Sequence, residues 1–496
     1  MEMIWLCSLL SLFLTVIAFK FSSTRRKRNL PPSPATALPL LGHLHLLKLP
    51  LHRTYQKLSQ KLGPIFSLRL GNRLVVVVSS PAIVEECFTK NDVVLASRPR
   101  LIIGKYIGYN YTSLIGSPYG DHWRNLRRLT TLEIFSSNRL NMFQSIRQDE
   151  IRLLLQKIYR KSATDFTRVE LRHMLSELNF NNIMRMVAGK RYFGGSGDDD
   201  DDEEAKQFRG LIDEAFRFAG ASNPNDFFPI LRWIDYKGFE KNVARVSGKM
   251  DVFLQGLIDE RRSSKGTNTM IDHLLSLQES QPEYYTDIII KGIIMMGRLE
   301  RRRWSSEMEV GHRKRRRYIR RTPFGTALML MDIAGDIAAA KIDDGLVDLT
   351  EGSGLSMPKL VPLEAMCKTR NLLHKIYQHG PLNGPCLLCS SDCKIGGYDI
   401  PRGTILLVNA WAIHRDPMVW DDPINFKLER FEMGEVGPSK LLPFGMGRRS
   451  CPGMGLALRV IGMALGSLIQ CFSGDELTRP WLICKVLLHK VILQAA

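Results

Sequence analysis

The chain has 496 residues, 44% of them hydrophobic, with 69 Lys/Arg against 50 Asp/Glu and a formal net charge of +19. Such a balance allows a sizeable core in one large domain or two, while the positive charge favours anionic partners such as a membrane surface or nucleic acid. The nine cysteines are irregularly spaced with no early cluster, which excludes a secreted disulfide scaffold.

Met3 to Phe19 is a nearly unbroken apolar run, followed by Lys20 and by Arg25-Arg26-Lys27-Arg28. It is slightly short of the about 20 residues a membrane span needs, yet adequate for a thin bilayer. The positive charge follows the apolar run and no small-x-small cleavage site ends it, so an anchor is favoured over a cleaved signal. The basic side stays cytosolic. Leu30-Pro31-Pro32-Ser33-Pro34 reads as a stiff extended linker. The resulting division is 1–21 membrane anchor, 22–40 basic and Pro-rich linker, and 41–496 globular domain.

A helix-like segment from Tyr55 gives way to Ile65–Leu70 and Arg73–Ser79, two strands joined at Gly71-Asn72, since Phe66, Leu68 and Leu70 alternate and Val75 to Val78 are β-branched. Pro81 to Lys90 reads as a helix with proline in its first turn. Leu101 to Tyr119 reads as a loop rich in Gly and Tyr. Trp123 and Arg127, four apart, share one helix face. Residues 140–296 read as mostly helical, interrupted by seven consecutive acids, Asp198 to Glu204, which form a solvated loop, and by Asp226-Phe227-Phe228-Pro229 with Trp233. A further helix starts at Thr286-Asp287. Residues 298–321 then carry eleven Lys/Arg against three acids. Cys386-x-x-Cys389 with Cys393 has zinc-like spacing, with His374 or His379 as a fourth ligand; an accidental cluster is the favoured reading. Tyr398 to Asn409 reads as turn then strand, and Ala410 to Pro417 as a helix leading into a loop.

The most informative stretch is Phe444-Gly445-Met446-Gly447-Arg448-Arg449-Ser450-Cys451-Pro452-Gly453, ahead of a helical run from Met454 to Phe472. A helix N-terminus favours a thiolate, and glycines let backbone approach a flat ligand. Arg449 can pair with an acidic group on that ligand. Haem fits: Cys451 as the axial thiolate on iron, Arg449 on a propionate. A buried cysteine acting as a small hydrophobe is the usual fate of a lone Cys, but five fixed positions across ten residues ahead of a helix favour the ligand.

On these motifs the chain resembles a cytochrome P-450 monooxygenase, in wording closest to the plant microsomal isoflavone 2′-hydroxylase-like branch. The resemblance covers residues 1–296 and 390–472. It implies a mainly α fold with small β-sheets (α+β), a haem b cofactor, and electrons from NADPH through NADPH-cytochrome P-450 reductase. It also implies an endoplasmic-reticulum membrane location with the catalytic domain in the cytosol. Cys451 would hold the iron, with Phe444 shielding the sulfur and Gly447 and Gly453 shaping the loop. Arg449, Trp123 and Arg127 would anchor propionates; His414 and Arg415 would either reach a propionate or serve the loop structurally. The 101–119 loop would cover a lipophilic, flavonoid-like substrate.

The order departs from the family in three places. The distal helix lacks the A/G-G-x-D/E-T kink after Met296, and the basic run replaces it. No E-x-x-R occurs between Met366 and Lys394 to lock Arg430. Val347 to Cys367 resembles the family's C-terminal strand segment yet precedes the haem loop, and 473–496 matches nothing. The fold is therefore expected to be incomplete around 297–393 and 473–496, and turnover impaired. A reading-frame or exon-boundary shift in the gene would produce both the basic run and the misplaced tail. Two other readings stand beside the enzyme: a haem-binding remnant without turnover, and nucleic-acid binding through 298–321, which is disfavoured because only Trp304 and Tyr318 interleave the charges.

Overall fold

The structure is a computed structural model. It describes residues 28–162 apart from 49, then 168–169, 171–194, scattered positions between 207 and 238, 239–264, 268–295, 365–366, 386–423 and 437–471, with Trp5, Ser8 and Ser11 near the start. The anchor, the acidic run, the basic run, His374, His379, Arg430 and 473–496 lie outside the described residues, apart from those three N-terminal positions. Among the described residues no helix is long and apolar enough to cross a membrane.

The N-terminal hairpin forms as its pattern requires. Strands β1 (Ile65–Leu70) and β2 (Arg73–Val78) pair antiparallel around Gly71-Asn72. Gly71 has φ +56°, and a Cβ there would meet the Phe227 carbonyl oxygen at 2.4 Å, so only glycine fits the turn. Two two-residue strands, β3 (Arg168–Val169) and β4 (Ala365–Met366), pair antiparallel with each other. β4 falls within the displaced segment that resembles a C-terminal strand. Further along come β5 (Leu387–Leu388), the hairpin β6 (Cys393–Ile395) with β7 (Tyr398–Ile400), and β8 (Ile405–Val408). β8 lies parallel to β2, Val75 opposite Ile405 through Val78 opposite Val408, and β5 closes the other side. The sheet order is β1-β2-β8-β5.

Successive strand residues point to opposite faces, and both faces are covered. Val75 and Val77 pack with Tyr55 and other side chains of the helix Leu51–Leu62. Val76 and Val78 pack with Val84 and Cys87 of the helix Pro81–Thr89. The continuous valine run is thus a strand buried on both sides.

As an edge strand, β1 would leave backbone groups unpaired. The Pro-rich stretch supplies partners: Ser67 donates its N–H to Pro32 O (2.7 Å) and its Oγ–H to Pro31 O (2.9 Å). Asn29 N–H reaches Asp399 Oδ2 at 3.0 Å. Residues 29–32 are therefore held against the strands by these bonds.

The helical part holds the larger core. Helices Gln144–Ser162 and Leu171–Ala188 pack against the C-terminal helix Met454–Cys471 through Ile151, Leu154, Ile158, Met174, Leu178 and Ala464. Leu456 and Val460 of that last helix share a cluster with Ile290, Ile293 and Ile294 of the helix spanning 287–295. Buried Glu150 ties the first two helices to the loop after them. Its Oε1 receives Arg185 Nη1 (2.7 Å) and Arg191 Nε (2.8 Å), and its Oε2 receives Asn181 Nδ2 (2.9 Å).

Candidate functional site: the Cys451 loop and its arginine floor

The loop before the helix Met454–Cys471 closes on itself. Cys451 N–H donates to Phe444 O at 2.9 Å, and Ser450 N–H to Gly447 O at 3.0 Å. Gly445 (φ +68°) and Gly447 (φ +71°) lie in the left-handed region that glycine adopts without strain. At Gly447 a Cβ would stand 2.5 Å from Asp92 Oδ1 and 2.8 Å from Phe88 Cδ1, so the position has no room for a side chain. Phe444 is buried. Cys451 is half-buried three residues before the helix Met454–Cys471, and buried Gly453 lends its carbonyl to Ala457 N–H in the first turn. The helix dipole at that end favours an ionised sulfur.

Beside the loop lies a cationic floor. Arg449 donates Nε–H to Ala96 O (2.6 Å), Nη1–H to Leu114 O (3.0 Å) and Nη2–H to Ser117 O (2.6 Å). Its guanidinium stands 4.4 Å from the Trp123 ring centre. Trp123 and Arg127 share the helix Asp121–Leu129, as their spacing requires. Trp123 Nε1–H donates to Leu114 O at 3.1 Å, and Arg127 Nη1–H to Ser450 O at 2.6 Å. These two donors thus meet the protein's own carbonyls, one on the 101–119 loop and one on the residue next to Cys451.

Burial, with Arg98 and Arg127 nearby, pulls the Arg449 guanidinium down to about 8. A half-buried cation with positive neighbours, whose hydrogen-bond partners here are all neutral carbonyls, is a setting that an anionic ligand group relieves. A haem propionate has that charge, and a thiol at a helix start is a soft donor suited to iron. The donor set therefore fits a thiolate-ligated haem.

His414 and Arg415 do not join this cluster. His414 Nε2 accepts Leu442 N–H at 2.9 Å, which fixes the chain entering the loop. Burial pushes its imidazole down to about 3, so it stays neutral and able to accept. The Arg415 guanidinium lies 4.5 Å from the Trp411 ring centre. For both, the structural alternative is the one the geometry favours.

Several site residues carry no local sequence signal. Asp92 holds the loop from below: Arg448 N–H donates to Asp92 Oδ1 (3.0 Å) and Arg448 Nε pairs with Oδ2 (3.1 Å). The 101–119 segment is more ordered than a loop reading implies, with a helical turn at Ile102–Tyr106. It then passes through positive φ at Tyr109, Asn110 and Tyr111. His122 bridges it to the next wall, Nε2 to Thr112 O (2.7 Å) and Nδ1 to Tyr284 Oη (2.9 Å). Lys291 of the 287–295 helix donates to Asp251 Oδ1 at 2.6 Å and lies 5.7 Å from the Tyr109 ring centre. Asp226 Oδ1 accepts Ile102 N–H at 2.8 Å, pinning the Phe227 turn to the same segment, while Trp233 is exposed. Among the described residues no group of three His, Cys, Asp or Glu is placed to hold a metal ion, so Cys386, Cys389 and Cys393 do not form the zinc arrangement there.

A mainly helical body with small sheets, carrying a cysteine loop at a helix start over an arginine floor, fits the haem-thiolate class. The sequence profile of the cytochrome P450 family matches residues 31–295 and 384–491. The chain is 51% identical to Cytochrome P450 81Q32 of Catharanthus roseus over 522 aligned positions, covering 99% of each chain. It is 46% identical to an isoflavone 2′-hydroxylase of Glycyrrhiza echinata, covering 94% of this chain and 92% of that one. A (+)-piperitol/(+)-sesamin synthase of Sesamum radiatum is 48% identical, with 96% and 92% covered. In three dimensions the chain is similar to a zebra fish cytochrome P450 solved with progesterone, with a TM-score of 0.59 at 21% identity, over 84% of this chain and 90% of that one. The chain belongs to the cytochrome P450 family and is by that membership a monooxygenase. The profile passes over 296–383, where the sequence breaks from the family's order. It continues to 491, so most of the tail after Phe472 is matched, contrary to the sequence reading.

Proposed function

We propose that the chain is a membrane-anchored monooxygenase of the endoplasmic reticulum that places one oxygen atom of O₂ into a lipophilic, flavonoid-like small molecule. NADPH supplies the electrons through its reductase. The observation that carries the reading is the Cys451 loop: a half-buried thiol held at a helix start, just after two positive-φ glycines and a half-buried arginine. Haem b, when bound, supplies the oxygen chemistry at its thiolate-ligated iron. Cys451 would be the axial ligand, Phe444 would shield its sulfur from water, and Arg449, with Arg127 and Trp123, would hold the propionate side. Asp92 keeps the loop in register through Arg448. His122, Asp226 and the Lys291–Asp251 pair fix the 101–119 segment that would roof the substrate. The names of the relatives support an aromatic, phenolic substrate class. The N-terminal apolar run with its basic flank supports the anchor, and deleting residues 1–29 should release much of the protein from membranes.

The missing A/G-G-x-D/E-T kink bears on rate. Its threonine and acid deliver protons in the family, and the chain has no such motif after Met296. Turnover should therefore fall well below that of a relative with an uninterrupted distal helix. The test is NADPH-driven product formation with added reductase and a flavonoid panel. Product at a relative's rate, from a chain verified to carry 297–393 as given, would refute the impairment. Absence of any thiolate-ligated haem would refute the reading itself.

A further inference from the structure

The cysteine cluster set aside as a zinc site has a different geometry. Cys389 follows β5 and Cys393 opens β6, and their sulfurs lie 3.5 Å apart, against about 2.05 Å in a disulfide bond. Cys389 is buried and Cys393 is half-buried, both beside the cluster that covers one sheet face. The turn between them is tied at each end. Cys389 N–H donates to Thr404 O at 2.9 Å, and Arg402 N–H to Asp392 Oδ1 at 2.7 Å. Two thiols held this close at the two ends of one short turn do not need a long loop closed before they react.

We propose that Cys389 and Cys393 form a reversible disulfide, a modification site for a peroxide oxidant on the cytosolic face of the protein. The Cys393 thiolate attacks the peroxide: an S–O bond forms, the O–O bond breaks, and the departing oxygen leaves as water after taking a proton. The Cys389 thiol then attacks the sulfenic sulfur. The S–S bond forms, the S–O bond breaks, and a second water leaves. Two thiols give up two electrons and one peroxide takes them.

The assignment of roles follows exposure, because the half-buried sulfur meets the oxidant and the buried one resolves it. The thiol-to-thiol hydrogen bond agrees. It pushes Cys389 up, assisted by burial, and pulls Cys393 down.

The turn also reaches the haem loop. Ser390 donates both N–H and Oγ–H to Val94 O, each at 2.9 Å, and Asn91 Nδ2–H donates to Lys394 O at 2.9 Å. Asp92 stands inside that 91–94 segment and holds Arg448, three residues before Cys451. Closing the pair staples the turn that positions Asp92. A reducing cytosol keeps such a bond transient, which suits a sensor rather than a structural disulfide.

The test uses the full-length chain in membranes treated with hydrogen peroxide, followed by N-ethylmaleimide and peptide mass spectrometry. The peptide carrying Cys386, Cys389 and Cys393 should lose two hydrogens and take up one maleimide, at Cys386, and dithiothreitol should restore the other two thiols. Cys87, buried and with its thiol pushed up by burial, should stay reduced. In Cys389→Ser, Cys393 should accumulate as a sulfenic acid trapped by dimedone. Hydrogen exchange at residues 91–94 should slow several-fold on oxidation. Sulfonic acid on Cys393 with Cys389 still open to maleimide, or a cross-link from Cys393 to Cys87, would overturn the disulfide. Unchanged exchange at 91–94 would overturn its link to the haem loop. None of these readouts depends on haem being bound.

Discussion

Replacing His414 with glutamine should flatten the acid limb of the protein's stability. In the fold, His414 Nε2 accepts the Leu442 backbone N–H, so only the neutral ring serves. Desolvation by burial, with Arg415 adding to it, holds the imidazole at about 3, against 6.5 when unfolded. Between those values the unfolded chain binds the extra proton. Stability from this residue is therefore complete above about pH 6.5 and drains away as pH falls toward 3. From about pH 7.5 to about 5.5 the linkage is worth roughly 1.4 kcal/mol, since each tenfold change in the protonation ratio is about 1.4 kcal/mol. His414 is half-buried, and solvent screening lowers this to about 1 kcal/mol. Glutamine can accept the same hydrogen bond through its amide oxygen and does not titrate. Urea unfolding at the two pH values, wild type against His414→Gln, should show the wild type losing about 1 kcal/mol more. Parallel losses in the two proteins would refute the buried-acceptor role.

Two further changes probe different parts of the architecture. Gly447→Ala puts a non-glycine residue at φ +71° and a methyl 2.5 Å from Asp92 Oδ1. It should cost at least the about 1–2 kcal/mol of a left-handed residue and lower the fraction of protein with thiolate-bound haem, read by spectroscopy; a spectrum and melting temperature equal to wild type would count against the tight approach. Glu150→Ala leaves Arg185 with Asp149 alone and Arg191 without its carboxylate, and should destabilise the helical core by about 1–3 kcal/mol. Denaturant melts check it, and a loss below about 1 kcal/mol would show the network to be solvated.

What the sequence made legible was local. Phe66, Leu68 and Leu70 alternating before Gly71-Asn72 define a hairpin, and the structure forms it. Trp123 and Arg127 at helical spacing fall on one helix, and the fixed glycines and cysteine of 444–453 produce a closed loop at a helix start. What stayed hidden depends on distant partners. The valines of β2 signal a buried strand, but nothing in them names β8, about 330 residues away, as the parallel neighbour. Asp92 is one acid among many at a helix end, and its partner lies 356 positions along the chain. The Pro-rich stretch has the composition of a spacer, and only the open edge of β1 gives it a partner, Ser67. His414 follows the same pattern. Its neighbours in sequence suggest a ligand contact, whereas the Leu442 N–H it accepts is visible only once the chain folds back.

In the proposed function Cys451 carries haem as its thiolate ligand. The reduced, CO-bound absorption spectrum of the full-length protein, beside that of Cys451→Ala, tests it most directly. The wild type should show the red-shifted Soret band of a thiolate-ligated ferrous–CO haem, and the variant should lose it at comparable expression. The same band in the variant, or no such band in a folded wild-type protein loaded with haem, would contradict the assignment.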